Sequence, residues 1–595
     1  LQLVVAFATI CSEYCENPDV VKKNCESSIM AGHSSLIEPL VNKEEDGVEE
    51  RPVAAPEQVS SLQQQQQQDD AAAKTTTFGK KDPSGSSSDL GHEELELPIS
   101  LTDDESAATT APWVWTELSK QVWLAGPMVC VNVLQYSLTL VSVMFVGHLG
   151  ELELAGAALA TSFAAVSGLA LMLGMASALE TLCGQAFGAK QYHMLGIYVQ
   201  RAMVVLYITS IPVAVVWYNM TSLLRLLGQD PQIAEKSGEY ARHLIPMLFA
   251  YATLQCLVKF LQTQSVVLSM AAFSVVTLFF HVLLCYLMMY TFGLGFHGAA
   301  VATSISYWLN VFFLAAFIKF SPKFKQTWTS FSIEAFHDLY GFLKLAIPSA
   351  VMVCLEQWSF ETVVILAGLL PNPQLETSAL SICLSTSTLM YMIPFGLGAA
   401  TSTRVANELG AANPRGAQRA VTTALSLAIV EGILIALLLL SVRNKWGYAF
   451  TNEPEVAEYV ARLCILLAIL QVMDAIQGVL IGMIRGCGRQ TLGAIANLGS
   501  YYLLGMPTGI VLGFVLHFNA YGLWTGILLA VASQVVLLGF LAAVCDWEKQ
   551  AMNAVKRVYS SAAHATDALR LPGVHSSESQ IIKQEEQILE SLLVH

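Results

Sequence analysis

The sequence predicts an all-α membrane protein of about twelve transmembrane helices, arranged as two pseudo-symmetric six-helix lobes. Three observations predict it. Of 595 residues, 54% are hydrophobic and only 13% charged, whereas a soluble chain carries about 25% charged residues. Apolar runs able to cross ~30 Å of hydrocarbon as helices recur over residues 122–545. The two halves of that region also resemble each other in motif and spacing. Lipid offers no partner to an open backbone, so such segments are helices or a closed barrel, and their length selects helix.

The first six spans are 122–146, 154–182, 197–220, 237–261, 265–290 and 298–320. The second six are 341–369, 377–402, 418–441, 456–484, 493–516 and 522–545. LAGPMVCVNVLQY (124–136) in the first helix parallels LAIPSAVMVCLEQW (345–358) in the seventh. GAKQYHMLGIYVQRA (188–202), after the second helix, parallels GAANPRGAQRA (410–420), after the eighth. The divisions are a first lobe at 113–320, a cytoplasmic inter-lobe loop at 321–340, a second lobe at 341–545 and a cytoplasmic tail at 546–595. Within that tail, IIKQEEQILESLLVH (581–595) has the spacing of an amphipathic helix. Residues 1–112 carry six consecutive Gln at 63–68 and SGSSS at 84–88. That composition buries too little apolar surface to offset ordering entropy, so the segment is read as disordered. LQLVVAFATIC (1–11) is apolar but short, with no basic region before it, and gives no support for a signal peptide.

The net charge of −15 resides in the N-terminal tail, where residues 1–112 hold 21 acids and 7 bases. The remainder holds 25 acids and 24 bases, so nothing in the body suits nucleic acid. One set of inter-helix segments carries Lys190, Lys259, Lys319, Lys323, Lys325, Lys344, Arg404, Arg415, Arg419, Arg485 and Arg489. The alternate set carries Arg225, Arg443 and Lys445. The positive-inside bias makes the first set cytoplasmic and places both termini in the cytosol. The twelve cysteines show no CxxC or zinc-type spacing and read as free thiols. No Walker A loop, HExxH or GxSxG occurs, so neither an enzyme nor ATP-driven pumping is expected, nor a metal or cofactor.

Acids inside the apolar spans are the chemical signal. Glu356 lies near the middle of the seventh span, where an acid costs ~2.5–3.5 kcal/mol on insertion scales. Burial disfavours the charged form of a carboxylate, so such a group can carry a proton and release it to an opening cavity. Asp474, mid-way along the tenth span, is flanked three residues away by Gln471 and Gln477, which places all three near one face. Aligning Pro127 with Pro348 sets Gln135 opposite Glu356, and aligning Ala241 with Ala461 sets Leu254 opposite Asp474. Ion coupling is therefore assigned to the second lobe. Glu361 is turned about 140° from Glu356, leaving coupling and a structural hydrogen bond both open. Glu431 and Glu180 are read as structural, with Glu180 near enough to the inner end to reach interfacial water. His281 is read as a packed, neutral imidazole. Gln135, Gln357, Trp358, Tyr391, Gln471 and Gln477 are candidates to line a cavity, although aromatics such as Trp358 and Tyr391 more often pack in a core or face lipid. Pro348 and Pro394 are candidate hinges, with Gly396 and Gly398 read equally as small residues for tight helix packing.

The stretches MFVGHLGELELAGAALATS (144–162), LGMASALETLCGQAFGAKQY (173–192), CLEQWSFE (354–361), STRVANELGAANP (402–414) and RGCGRQTLGA (485–494) together carry a family resemblance. Over residues 113–548 the chain resembles the multidrug and toxic compound extrusion (MATE) family, its plant detoxification branch in particular. The resemblance implies two six-helix lobes in a V and export of organic solutes in exchange for protons or sodium ions. It implies that the coupling acids of the seventh and tenth helices are Glu356 and Asp474, and that Glu361 matches a further implicated acid. Gln357 and Trp358 stand where relatives commonly have two aromatics, and Ser269 stands where they often have Pro, departures that bear on substrate preference. The first helix has no mid-membrane Asp, so the ion site of some bacterial relatives is not expected. The reading is thus a proton-coupled antiporter, with Na+ the alternative ion. It works as a monomer in the vacuolar or plasma membrane and takes xenobiotics, organic cations or plant secondary metabolites. The rivals are a lipid-linked substrate flippase, a membrane scaffold acting through its acidic tail and, less favoured, a channel.

Overall fold

Four of the spanning helices open on proline, at Pro231, Pro373, Pro414 and Pro454. A first helical turn leaves its N–H groups unpaired, so proline loses nothing there and its fixed φ fits. Asp230 and Asn413 cap two of these helices by accepting from Gln232 and Gly416 N–H, each at 2.9 Å.

The computed structural model describes residues 111–568. Twelve helices long and apolar enough to cross a membrane occur among them. The first lobe comprises α1 (Ala111–Gly147), α2 (Glu151–Gly188), α3 (Tyr192–Tyr218), α4 (Pro231–Thr263), α5 (Val267–Thr291) and α6 (Gly295–Phe320). The second comprises α7 (Leu339–Ala367), α8 (Pro373–Gly410), α9 (Pro414–Ala449), α10 (Pro454–Cys487), α11 (Gln490–Val515) and α12 (Asn519–Ala543). A thirteenth helix, α13 (Trp547–Ala568), follows. The predicted disordered segment 1–112 and the amphipathic helix over 581–595 lie outside the described residues, except Ala111 and Pro112, which begin α1.

Packing repeats between the lobes. In the first, α4 is the central helix against α2, α3 and α6; in the second, α10 takes the same place against α8, α9 and α12. The pairs α1–α5 and α7–α11 correspond in the same way. Accordingly α4 and α10 are the most enclosed spans, and polar groups on them are shielded from lipid by protein.

The lobes meet along two seams, α2–α7 and α1–α8, and at one end. At that end Thr181 donates to Arg485 O (2.5 Å), Gln185 to Gly486 O (3.0 Å) and Asn407 to Thr263 O (3.2 Å). Arg404 reaches across to Glu117 at 2.9 Å. Gln121 donates to Ala420 O, and Gln262 to Ala399 O and Thr403, across the lobes near the same end. Gly184 permits the approach, since a Cβ there would come within 2.5 Å of Ala406 Cβ.

Several expectations change. Lys259, Arg404 and Arg485 are not loop residues: each lies within a helix, Lys259 and Arg485 are buried, and Arg404 is paired. The inter-lobe segment is ordered by short 3-10 turns at Pro322–Phe324 and Ile333–Phe336. The stretch after 546 begins with α13, whose Ala551 and Ala554 join the second lobe's core while Val558 joins a core centred on the first. Pro348 and Pro394 sit inside α7 and α8, which remain α-helical through them. Gly398 instead packs directly on Gly478 of α10, which is the small-residue role. Local unwinding appears as π-helical turns in α2, α5 and α11.

Candidate functional site

Glu356 and Asp474 are brought together inside the second lobe. α7 supplies Glu356, and α8 supplies Tyr391, whose hydroxyl donates to Glu356 Oε1 at 3.2 Å. α10 supplies Asp474, only 3% exposed and close enough to feel the charges of Glu356 and Glu431. Gln477 lies beside Glu356. Its Nε2 further reaches Gln534 Oε1 at 2.9 Å and Tyr501 Oη at 3.4 Å. Gln534 then donates to Asn497 Oδ1 (2.6 Å), and Asn497 to Met352 O (2.8 Å). This chain ties α7, α10, α11 and α12 into one buried network. Two carboxylates in one enclosed site cannot both be charged cheaply, so the arrangement suits a proton that comes and goes.

The amides beside Asp474 diverge. Gln471 points to α9 and donates to Glu431 Oε1 at 3.4 Å, whereas Gln477 serves α11 and α12. Three-residue spacing on each side places them 60° to either side of Asp474, enough to reach different neighbours. Glu431, read as structural, proves part of the same electrostatic group.

Glu361 lies outside this network. Its partners are Ser162 of α2, which donates at 3.5 Å across the seam, and Gln357. Trp358 is 43% exposed and donates from Nε1 to Val166 O of α2 at 3.1 Å. It walls an apolar pocket of about 430 Å³ with Val166, Leu171, Thr209, Ile347 and Leu355. In the first lobe Gln135 accepts from Gln255 Nε2 at 3.4 Å. The residue that meets it is one position beyond Leu254, which is fully buried. The first lobe therefore holds two amides where the second holds two carboxylates.

A second polar centre escaped the sequence. Glu180 is 0% exposed, not within reach of interfacial water, and Lys259 Nζ holds its Oε1 at 2.5 Å. Lys259 also donates to Gln262 Oε1 (3.2 Å), and Gln262 crosses the lobes to Ala399 O and Thr403 Oγ1, each at 3.0 Å. Arg485 adds its charge to both Glu180 and Glu356. An embedded acid and a lysine 79 residues later carry no local pattern; only the Glu180 anomaly signalled it. His281 is packed as expected: Ser142, Ser306 and Leu138 O surround its ring nitrogens at 2.8–3.1 Å. No disulfide joins the nine described cysteines.

Comparison with known proteins gives a consistent picture. The MatE family model matches residues 127–287 and 348–511, one segment per lobe. Protein DETOXIFICATION 16 of Arabidopsis thaliana is 53% identical over 447 residues, covering 75% of this chain and 92% of that protein. Protein DETOXIFICATION 17 of the same plant is 50% identical over 464 residues, covering 78% and 97%. The crystal structure of the eukaryotic MATE transporter AtDTX14 superposes with a TM-score of 0.73 at 46% identity, over 75% of this chain and 99% of that one. The Vibrio cholerae MATE transporter VcmN in the bent form shares the fold, with a TM-score of 0.64 at 18% identity over 75% and 99%.

Proposed function

Because this chain belongs to the MatE family and is a multi-pass membrane transporter, we propose that it is a secondary antiporter exporting organic solutes from the cytosol in exchange for protons. The observation that carries the reading is the enclosure of Glu356, hydrogen-bonded by Tyr391, and of buried Asp474 close to it inside the second lobe. Solute binds between the lobes while the acids are charged. Protonation of Glu356 or Asp474 from the acidic side removes charge from the network, loosens its hold on the solute and shifts the lobe equilibrium. A ligand shifts such an equilibrium only through different affinity for the two states, and a proton on an enclosed carboxylate supplies that difference. The Glu356–Tyr391 and Gln477–Gln534 bonds tie this charge change to four helices, so it can be felt as packing. Glu361, bridging the seam to Ser162, is an accessory in the same cycle. Sodium in place of the proton is the alternative coupling ion.

In the proposed orientation, the end sealed by Thr181, Gln185 and Asn407 is cytosolic, both termini are cytosolic, and the lobes part toward the opposite side. A lipid-linked substrate flippase is the second reading, favoured by the apolar pocket beside Trp358. Proteoliposomes under an imposed pH gradient separate the two. Saturable, gradient-dependent uptake from a panel of organic cations and phenolic metabolites is expected. Movement of fluorescent lipid with no solute uptake would favour the flippase instead.

A further inference from the structure

We propose that the segment joining the lobes, residues 319–344, is a membrane-interface platform whose aromatic face enters the bilayer surface and whose lysines hold anionic lipid headgroups. The segment is anchored, not loose. Gln200 Nε2 donates to Ser330 O at 2.7 Å, and Ser332 N donates to Gln200 Oε1 at 2.8 Å. Arg201 pairs with Asp338 at 3.4 Å and donates to Glu334 O at 3.5 Å. Phe324 is buried between Phe260 and Phe317.

Against that anchoring, its other face is unusually apolar for a connection between spans. Phe331 is 83% exposed, Ile333 79%, Phe336 63% and Tyr340 79%. The segment leaves α6 at Phe320 and enters α7 at Leu339, so both ends sit where spanning helices meet the headgroups. Aromatic side chains are favoured at that depth. Charge selects the lipid. Glu334 is buried, and Asp338, though exposed, is paired with Arg201 and caps α7, so neither acid is left to offset the segment's lysines. Lys319, Lys323, Lys325 and Lys344 are exposed and, among the described residues, reach no carboxylate. Basic residues beside a span attract anionic headgroups, and that attraction fades within a Debye length of the surface. Four such residues flanking an apolar face fit a phosphatidylserine-type surface better than a neutral one.

The test uses the full chain in liposomes of phosphatidylcholine with and without phosphatidylserine. Phe331→benzoylphenylalanine is irradiated and its adducts are read by mass spectrometry; Phe279→benzoylphenylalanine on α5, 74% exposed, serves as the mid-span control. The expected result is lipid adducts at 331, with phosphatidylserine enriched above its share of the bilayer. The combined Lys319, Lys323, Lys325 and Lys344→Gln variant should retain the adducts and lose the enrichment. Lipid adducts at 279 but none at 331, adducts at 331 to a second protein copy, or enrichment unchanged in the lysine variant would each overturn the proposal. None of these readouts depends on transport.

Discussion

Glu180 and Lys259 hold each other at 2.5 Å with essentially no exposure, which makes either one alone an expensive tenant. Removing one partner leaves an unpaired enclosed charge, at a cost of about 3–5 kcal/mol. Lys259→Met should therefore lower the melting temperature in detergent sharply, and Glu180→Leu with Lys259→Met should recover much of the loss. Equal destabilisation in the single and double variants would mean that the pair is held for other reasons. Cys545, just past α12, offers a second test at this scale. The hydrogen bond with Cys487, helped by nearby Arg489, pulls its thiol down to about 7. The reactive thiolate thus accumulates as pH rises through 7, and maleimide labelling lost in Cys545→Ser should follow that curve; a midpoint near the ordinary thiol value would refute it. Glu356 and Asp474 were legible because an acid in an apolar run is costly wherever it points. The bond from Tyr391 to Glu356 was not, because side-chain direction between helices leaves no trace in spacing.

The spanning helices were equally legible, since twenty apolar residues in a row admit few other fates. Their ends were not. α8 extends to Gly410 rather than stopping near 402, because its last turns are buried between lobes, not in lipid, and can be polar. α13 was read as tail for the converse reason: its composition is polar, and only Ala551, Ala554 and Val558 recur at helical spacing. Two predictions belong here. Gly184→Leu would force side-chain atoms into Ala406 where α2 and α8 touch. Such overpacking costs about 1–3 kcal/mol, so a lower melting temperature should accompany greater solvent labelling at the sealed end; unchanged labelling would show that α2 and α8 are not part of the seal. Arg557 of α13 donates to Gln185 Oε1 at 2.5 Å, a charge-assisted bond worth about 1.5–3 kcal/mol. Arg557→Gln should lose stability in that range by thermal unfolding, whereas truncation of an inert tail would cost nothing.

At the scale of the molecule, the proposed function rests on pseudo-symmetry and its breach. The sequence repeat foretold two lobes of one topology, and the matching central helices α4 and α10 bear that out. Aligning the repeat set Leu254 opposite Asp474, whereas the next residue, Gln255, is the one that meets Gln135, because a helix can rotate slightly without disturbing its neighbours. Two like scaffolds carry amides in one and acids in the other, and the proposed proton-sensitive element is therefore confined to a single half. The central claim is that solute and proton cross the membrane in opposite directions, the proton by way of the acids of that half. It is tested most directly by loading proteoliposomes with a pH dye, imposing a solute gradient alone and following proton movement. The account predicts that the wild-type chain moves protons against the solute, and that Glu356→Gln and Asp474→Asn, folded and able to bind solute, move none. Solute-driven proton movement that persists in both variants, or solute flux in the wild type with no proton movement, would contradict it.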